Sequence, residues 1–179
     1  MLKTSLVLTV IGTDKPGLVE ALSEAIAARG ANWEESRMAH LGGQFAGIVR
    51  VTVEDGDRAA LVRDLEGLER AGLRVVAQTS EGPASEVATR LLRLELVADD
   101  RAGIILDISR ALAELGVNLE ELSSEITSAP MAGGNLFRMH ASVRAPEDMP
   151  LERVKGVLEG LADELMVDLS LAEIGGGDS

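Results

Sequence analysis

One stretch of this chain occurs twice. Asp14-Lys15-Pro16-Gly17-Leu18-Val19 returns as Asp100-Arg101-Ala102-Gly103-Ile104-Ile105, and Gly30-Ala31-Asn32-Trp33-Glu34-Glu35 returns as Gly116-Val117-Asn118-Leu119-Glu120-Glu121. The offset is 86 residues at every matched position, from Asp14 to Asp100 and from Asn32 to Asn118 alike. A 179-residue chain with such a repeat divides most naturally into two units of roughly 80 to 90 residues. Units of that size bury only about 60–70% of their chain surface and are marginal alone. In each copy the Asp and Gly follow an apolar run and open a helical pattern, and the Asn restarts the chain after that helix. A duplicated turn points to a paired ligand- or partner-binding module, not to an enzyme built around one catalytic centre.

Local patterns give each unit the same element order. Ser5 to Ile11 reads as a buried strand bounded by Gly12. Asp14 can cap a helix, Pro16 suits its first turn, and Leu18, Val19, Leu22, Ala25 and Ile26 form one apolar stripe. Gly30 stops that helix as a left-handed C-cap. Asn32 to Leu41 and the alternating Phe45 to Val53 read as a hairpin turning at Gly42-Gly43. Asp57 opens a second helix carrying Leu61, Val62, Leu65 and Leu68 and ending at Gly72, and Leu73, Val75 and Ala77 supply a last strand. In the second half, Leu91–Val97 is a strand and Ile104, Ile105, Ile108 and Leu112 mark a helix. Strands follow at about Asn118–Thr127 and Asn135–Val143, with about six extra residues around Ser128–Gly133. Val154, Leu158, Leu161 and Leu165 mark the last helix, and Val167, Leu169 and Leu171 the last strand.

Each unit is thus β-α-β-β-α-β, the split βαβ arrangement with an antiparallel sheet and both helices on one face. The fold class expected is α+β, two ferredoxin-like units in tandem. Their bounds are residues 1–81 and 87–174, with a polar linker at 82–86 and a disordered glycine-rich tail at 175–179.

Composition removes several classes of function. With 30 Asp+Glu against 17 Lys+Arg the chain carries −13 at pH 7, which repels phosphate backbones. Two Phe, one Trp and no Tyr leave little surface for stacking bases. No direct nucleic-acid binding is expected. The absence of cysteine excludes disulfides, thiolate metal sites and a cysteine nucleophile. No signal peptide and no run of about 18 apolar residues is seen, so no membrane association and a cytoplasmic location are expected. No nucleophile elbow, phosphate loop or zinc-protease motif occurs, and no cofactor or metal is expected. His40 and His140 do not repeat at the 86-residue offset. In regular strands the neighbours Glu34 and Glu35, or Glu120 and Glu121, point to opposite faces and cannot converge. Trp33 stands where the second copy has Leu119 and is expected at a surface between units or subunits, or on a pocket wall.

At Asp14…Gly17, Gly30…Asn32 and their second copies, the chain resembles a pair of ACT domains, from about Ser5 to Ile174. Val10-Ile11-Gly12-Thr13-Asp14-Lys15-Pro16-Gly17-Leu18-Val19 carries the best local match to the glycine cleavage system transcriptional repressor family. That resemblance implies a regulator that responds to an amino acid, glycine foremost, and acts through contact with a protein partner such as a DNA-bound transcriptional activator. Ferredoxin-like sheets with an uncovered face or edge tend to associate, so a homo-oligomer is expected. The second unit departs from the first at Arg101-Ala102 and in its longer hairpin, which could cover the second site.

The residues expected to hold a small amino acid are Asp14, Gly17, Leu18 and Asn32, with Asp100, Gly103, Ile104 and Asn118 in the second copy. A helix N-terminus offers N–H groups to a carboxylate. Asp14 or Asp100 can accept from an ammonium, and the same side chains suit helix capping. Gly17 and Gly103 admit a close approach, by a ligand or by the sheet. Asn32 and Asn118 can donate and accept, to a ligand or within a turn. Two other readings stand beside sensing: a ligand-independent interaction module, and a regulatory subunit acting in trans on an amino-acid metabolic enzyme.

Overall fold

The computed structural model describes residues 2–80, 88–129 and 134–174. The chain divides into two compact units, Met1–Ala84 and Ser85–Ser179. The expected linker at 82–86 and tail at 175–179 lie outside the described residues.

The first unit runs β1 (Lys3–Thr13), α1 (Leu18–Ala27), β2 (Asn32–Leu41), β3 (Gln44–Glu54), α2 (Arg58–Gly67), a 3-10 turn (Leu68–Ala71) and β4 (Leu73–Thr79). The second runs β5 (Thr89–Asp99), α3 (Ile104–Glu114), β6 (Asn118–Ala129), β7 (Gly134–Pro146), α4 (Leu151–Leu165) and β8 (Asp168–Glu173). Each has a four-stranded sheet, β2-β3-β1-β4 and β6-β7-β5-β8, antiparallel throughout. The expected tandem of two ferredoxin-like βαββαβ units is therefore present among the described residues.

The central strands are half-buried, not wholly buried as their apolar composition suggests. Leu6, Leu8 and Val10 of β1 and Val49, Val51 and Val53 of β3 join Leu18, Leu22 and Ile26 of α1 and Leu61 and Leu65 of α2 in one core. The alternate residues Thr9, Ile11 and Ile48 stay exposed, as strand alternation requires when both helices cover one face. The second core repeats this with Leu92, Leu94 and Leu96 against Ile108, Leu112 and Leu158. Val19 and Ile105, read above into the helix stripes, are 45% and 39% exposed. They sit one residue past Leu18 and Ile104, which rotates them about 100° away from the core.

Gly30 and Gly116 adopt φ 61° and 68°. In both units the following N–H reaches back five residues, from Ala31 to the Ile26 carbonyl and from Val117 to the Leu112 carbonyl, which closes the helix end. Gly42 and Gly43, at φ 58° and 77°, form a two-residue turn closed by the Leu41–Gln44 pair. The second hairpin spends its six extra residues in two places. Its ladder gains the pairs Ser128–Asn135 and Ala129–Gly134, and its connection spans 130–133, which lies outside the described residues.

Candidate functional site

Asp14 to Gly17 connect the end of β1 to the first residue of α1. The Asp14 N–H donates to the Gly43 carbonyl at 3.0 Å, tying this turn to the tip of the β2–β3 hairpin. Gly17, at φ 91°, is the residue that caps α1, and no side chain caps the helix. The expectation that Asp14 caps is thus corrected: Lys15 and Pro16 intervene, and the Asp14 carboxylate instead lies 3.6 Å from Nε2 of His40. A side chain at Gly17 would meet only the Glu20 carboxylate, at 3.9 Å, so glycine serves the left-handed backbone and not close packing on the sheet.

A cavity of about 300 Å³ opens at this turn, lined by the run Asp14–Glu20 and by Phe45 of β3. Asp14, Lys15 and Glu20 are its charged lining residues, and the Lys15 ammonium lies beside Gly72 at the start of β4. Leu18 lines it while keeping its side chain in the core, so what it can offer a ligand is backbone. Phe45, Lys15 and Glu20 were missed in the sequence. Phe45 had a signal: it returns as Phe137 once the six extra hairpin residues are counted, since both lie opposite the ends of their central strands.

The second turn keeps the backbone and changes the side chains. Asp100 donates its N–H to the Asn135 carbonyl at 2.9 Å, and Gly103 caps α3 at φ 96°. Ile104 is buried in the second core. Arg101, in the place of Lys15, turns to Asp107 in the first turn of α3, with 3.4 Å between Nη2 and Oδ2.

Asn32 and Asn118 do not join these turns. Asn32 opens edge strand β2 opposite Thr52, which lies opposite Ser5 of β1. Ser5 and Thr13 are eight residues apart on β1, about 26 Å along the strand, with Asp14 beyond. Asn118 stands likewise across from Arg144 and Leu91, at the far end of its sheet from Asp100. Asp14 and Asn32, and likewise Asp100 and Asn118, thus lie at opposite ends of the sheet of their unit. Helix α1 carries the chain back along the sheet, so that β2, parallel to β1, starts with its Asn at the opposite end.

What gathers beside the Asn is a carboxylate cluster built on a bulge. The β2–β3 register slips between Trp33 and Glu35, and the β6–β7 register between Leu119 and Glu121. The extra residue overturns the expectation that the paired glutamates point apart. Arg50 reaches both, with Nε 3.3 Å from Glu34 and Nη2 3.1 Å from Glu35. The Thr52 hydroxyl donates to Glu34 at 3.1 Å. In the second unit Arg144 grips Glu120 through Nε and, at 3.0 Å, through Nη2, while Nη1 donates to Thr89 at 3.1 Å. The hydrogen bond to Glu120 raises the Arg144 pKa further above its ordinary value. Arg50 and Thr52 thus become Ser142 and Arg144, with the cation moved two residues along the strand. Trp33 packs against the first unit's own core beside this bulge.

The two units also differ where their last strands begin. Gly12 pairs with Leu73 and lies so close to Gly72 that a Cβ on it would stand 2.3 Å from the Gly72 carbonyl oxygen. The second unit has Ala98 there, the matching pair is missing from its ladder, and Met166 takes the left-handed place of Gly72 at φ 54°. A cavity of about 450 Å³ lies at that point, between the end of β5 and the last turn of α4. Among the described residues no group of three or more His, Asp or Glu could hold a metal ion, and no helix is long and apolar enough to cross a membrane.

Comparison with known proteins agrees with this architecture. Residues 4–78 match the family model of the ACT domain. A crystal structure of an unknown protein from Galdieria sulphuraria is 34% identical, covers 97% of this chain and 99% of its own, and superposes with a TM-score of 0.86. A solved structure provisionally assigned as a glycine cleavage system transcriptional repressor shares the fold at a TM-score of 0.73, with 21% identity over 97% of this chain and 99% of its own. The glycine cleavage system transcriptional repressor of Escherichia coli is 23% identical over 163 residues, 89% of this chain and 85% of its own length. Residues 4–78 thus form an ACT domain, the second unit repeats its topology, and the chain as a whole resembles the glycine cleavage system transcriptional repressors.

Proposed function

We propose that this protein is an amino-acid-responsive regulator, repressor-like in acting through a protein partner such as a transcriptional activator, with its ligand held at the first unit's turn. The observation that carries this reading is the open cavity lined by Asp14–Glu20 and Phe45. It brings together the two kinds of group a zwitterion needs. Asp14 and Glu20 can accept from an ammonium. The N–H groups at the start of α1 can hold a carboxylate, helped by the helix dipole. Gly17 adds no side chain to that approach, where the Glu20 carboxylate is the nearest group.

Glycine as the ligand is supported by likeness to the E. coli repressor and not by volume, since about 300 Å³ admits larger amino acids. The chain's charge of −13 supports a protein partner over direct contact with DNA or RNA. In the second unit the backbone of Asp100, Gly103 and Ile104 offers an equivalent turn, but Arg101 is engaged with Asp107. Asn32 and Asn118 cannot complete the site of their own unit, so any part they play in binding lies elsewhere.

Thermal unfolding with glycine, serine and alanine tests the reading. A ligand at 100 times its dissociation constant adds about 2.7 kcal/mol. The stabilisation should vanish in Asp14→Ala and survive in Asn32→Ala. No shift for any amino acid at millimolar concentration would remove the sensor reading and favour a ligand-independent interaction module.

A further inference from the structure

His40 lies on β2 two residues before the Gly42-Gly43 turn, and that turn is tied to Asp14 by the hydrogen bond from the Asp14 N–H to the Gly43 carbonyl. Its Nε2 is 3.6 Å from Oδ2 of Asp14, and both side chains are about half exposed. The residue opposite it on β3 is Phe45, which lines the cavity, so His40 stands at the rim of the same site. Across the ladder and along its own face its neighbours Phe45 and Met38 are uncharged. The charged residues that line the cavity are Asp14 and Lys15 from the turn, with the Lys15 ammonium beside Gly72, and Glu20 from α1. In the second unit Ile126 takes the equivalent place opposite Phe137, so this histidine belongs to the first site alone. His140, the other histidine, pairs with Glu95 on a different strand pair.

We propose that His40 is a proton-controlled competitor for the Asp14 carboxylate, so that amino-acid binding at the first unit's turn weakens on acidification. This rests on the ligand pocket proposed above. At a pH where an imidazole is neutral, the Asp14 carboxylate has no cation at this position and is open to a ligand ammonium. Once protonated, the imidazolium pairs with Asp14, and the ligand must displace it or share it. An exposed pair of this kind is worth a few-fold in affinity and no more. A ligand ammonium that displaces the imidazolium from Asp14 should therefore be accompanied by proton release into buffer.

The test is calorimetric titration of the full chain with glycine, and with serine, at about pH 8 and about pH 5.5, on either side of the usual imidazole range. Wild-type affinity should fall about two- to five-fold more than that of His40→Gln or His40→Ile over this interval. His40→Lys, a permanent cation, should bind weakly at both values. Titrations in buffers of different ionisation enthalpy at about pH 6.5 should show proton release in the wild type and none in His40→Gln. Equal pH dependence in wild type and His40→Gln would overturn the competition and leave the pocket standing. Loss of binding in every variant and at both pH values would remove the pocket, and this proposal with it.

Discussion

Met38 occupies the space that a side chain at residue 47 would need. A Cβ on Gly47 would lie 2.6 Å from Met38 Cγ and 2.8 Å from the Arg37 carbonyl oxygen. The second unit solves the same packing from the other strand, where Met139, fully buried on β7, faces Ser124 of β6. One methionine fills this layer of each core, and the two units draw it from opposite partners of the hairpin. Gly47→Met should therefore destabilise the first unit by about 1–3 kcal/mol through overpacking. Adding Met38→Ser, which copies the second unit's pair, should restore part of that loss. The Arg37 carbonyl remains in the way, so recovery is incomplete. Denaturant unfolding of the two single variants and the double variant measures the coupling.

Gly12→Ala should also be costly, because the obstructing atom is backbone and cannot swing aside. The Gly72 carbonyl oxygen would sit 2.3 Å from the new Cβ. The first unit should respond as the second is built, losing the Gly12–Leu73 pair and spreading the start of β4 from β1. A loss of about 1–3 kcal/mol is expected. Hydrogen exchange at Leu73 reports the opening directly. Retained protection there would contradict it.

Gly17→Ala and Gly103→Ala test conformational cost with little steric contribution, because the surrounding space is open. At φ 91° and 96° an alanine should cost about 1–2 kcal/mol in each unit. Asn should cost less, because it tolerates the left-handed region. If alanine proved neutral in melting temperature, the left-handed turn would have little hold on the fold.

The Arg29–Asp64 pair links the end of α1 to α2, with 2.6 Å between Nε and Oδ2. The hydrogen bond from Arg29 is the largest cause that lowers the Asp64 pKa below its ordinary value. A carboxyl whose folded pKa is depressed contributes stability above its unfolded value and loses it as pH falls through the folded one. The wild type should therefore melt above Asp64→Asn at neutral pH, with the gap closing as pH drops below about 4. A gap that stayed constant down to about pH 2 would show that the pair's charge is irrelevant.

The duplication, the order of elements and the C-terminal ends of the first helices were legible in the residues themselves. They depend on local chemistry: apolar spacing, and glycines that readily accept a left-handed backbone at residues 30 and 116. Phe45 was hidden because its repeat is displaced by the six residues inserted in the second hairpin. Its place on the cavity wall also depends on a strand remote in sequence from the turn.

The glutamates show the same boundary from the other side. Strand alternation predicts that Glu34 and Glu35 diverge, and one extra residue in the edge strand makes them converge on Arg50. Asn32 was placed with Asp14 because both recur at one offset, yet an offset measures descent along the chain and not distance in space. Sequence by itself determined that this protein is two βαββαβ units, since periodicity and turn chemistry act over a few residues. Only the tertiary structure decided which repeated residues meet. Strand direction, register and bulges are set by packing between segments far apart in the chain, and these carry Asn32 to one end of the sheet while bringing Phe45 and His40 to Asp14 at the other.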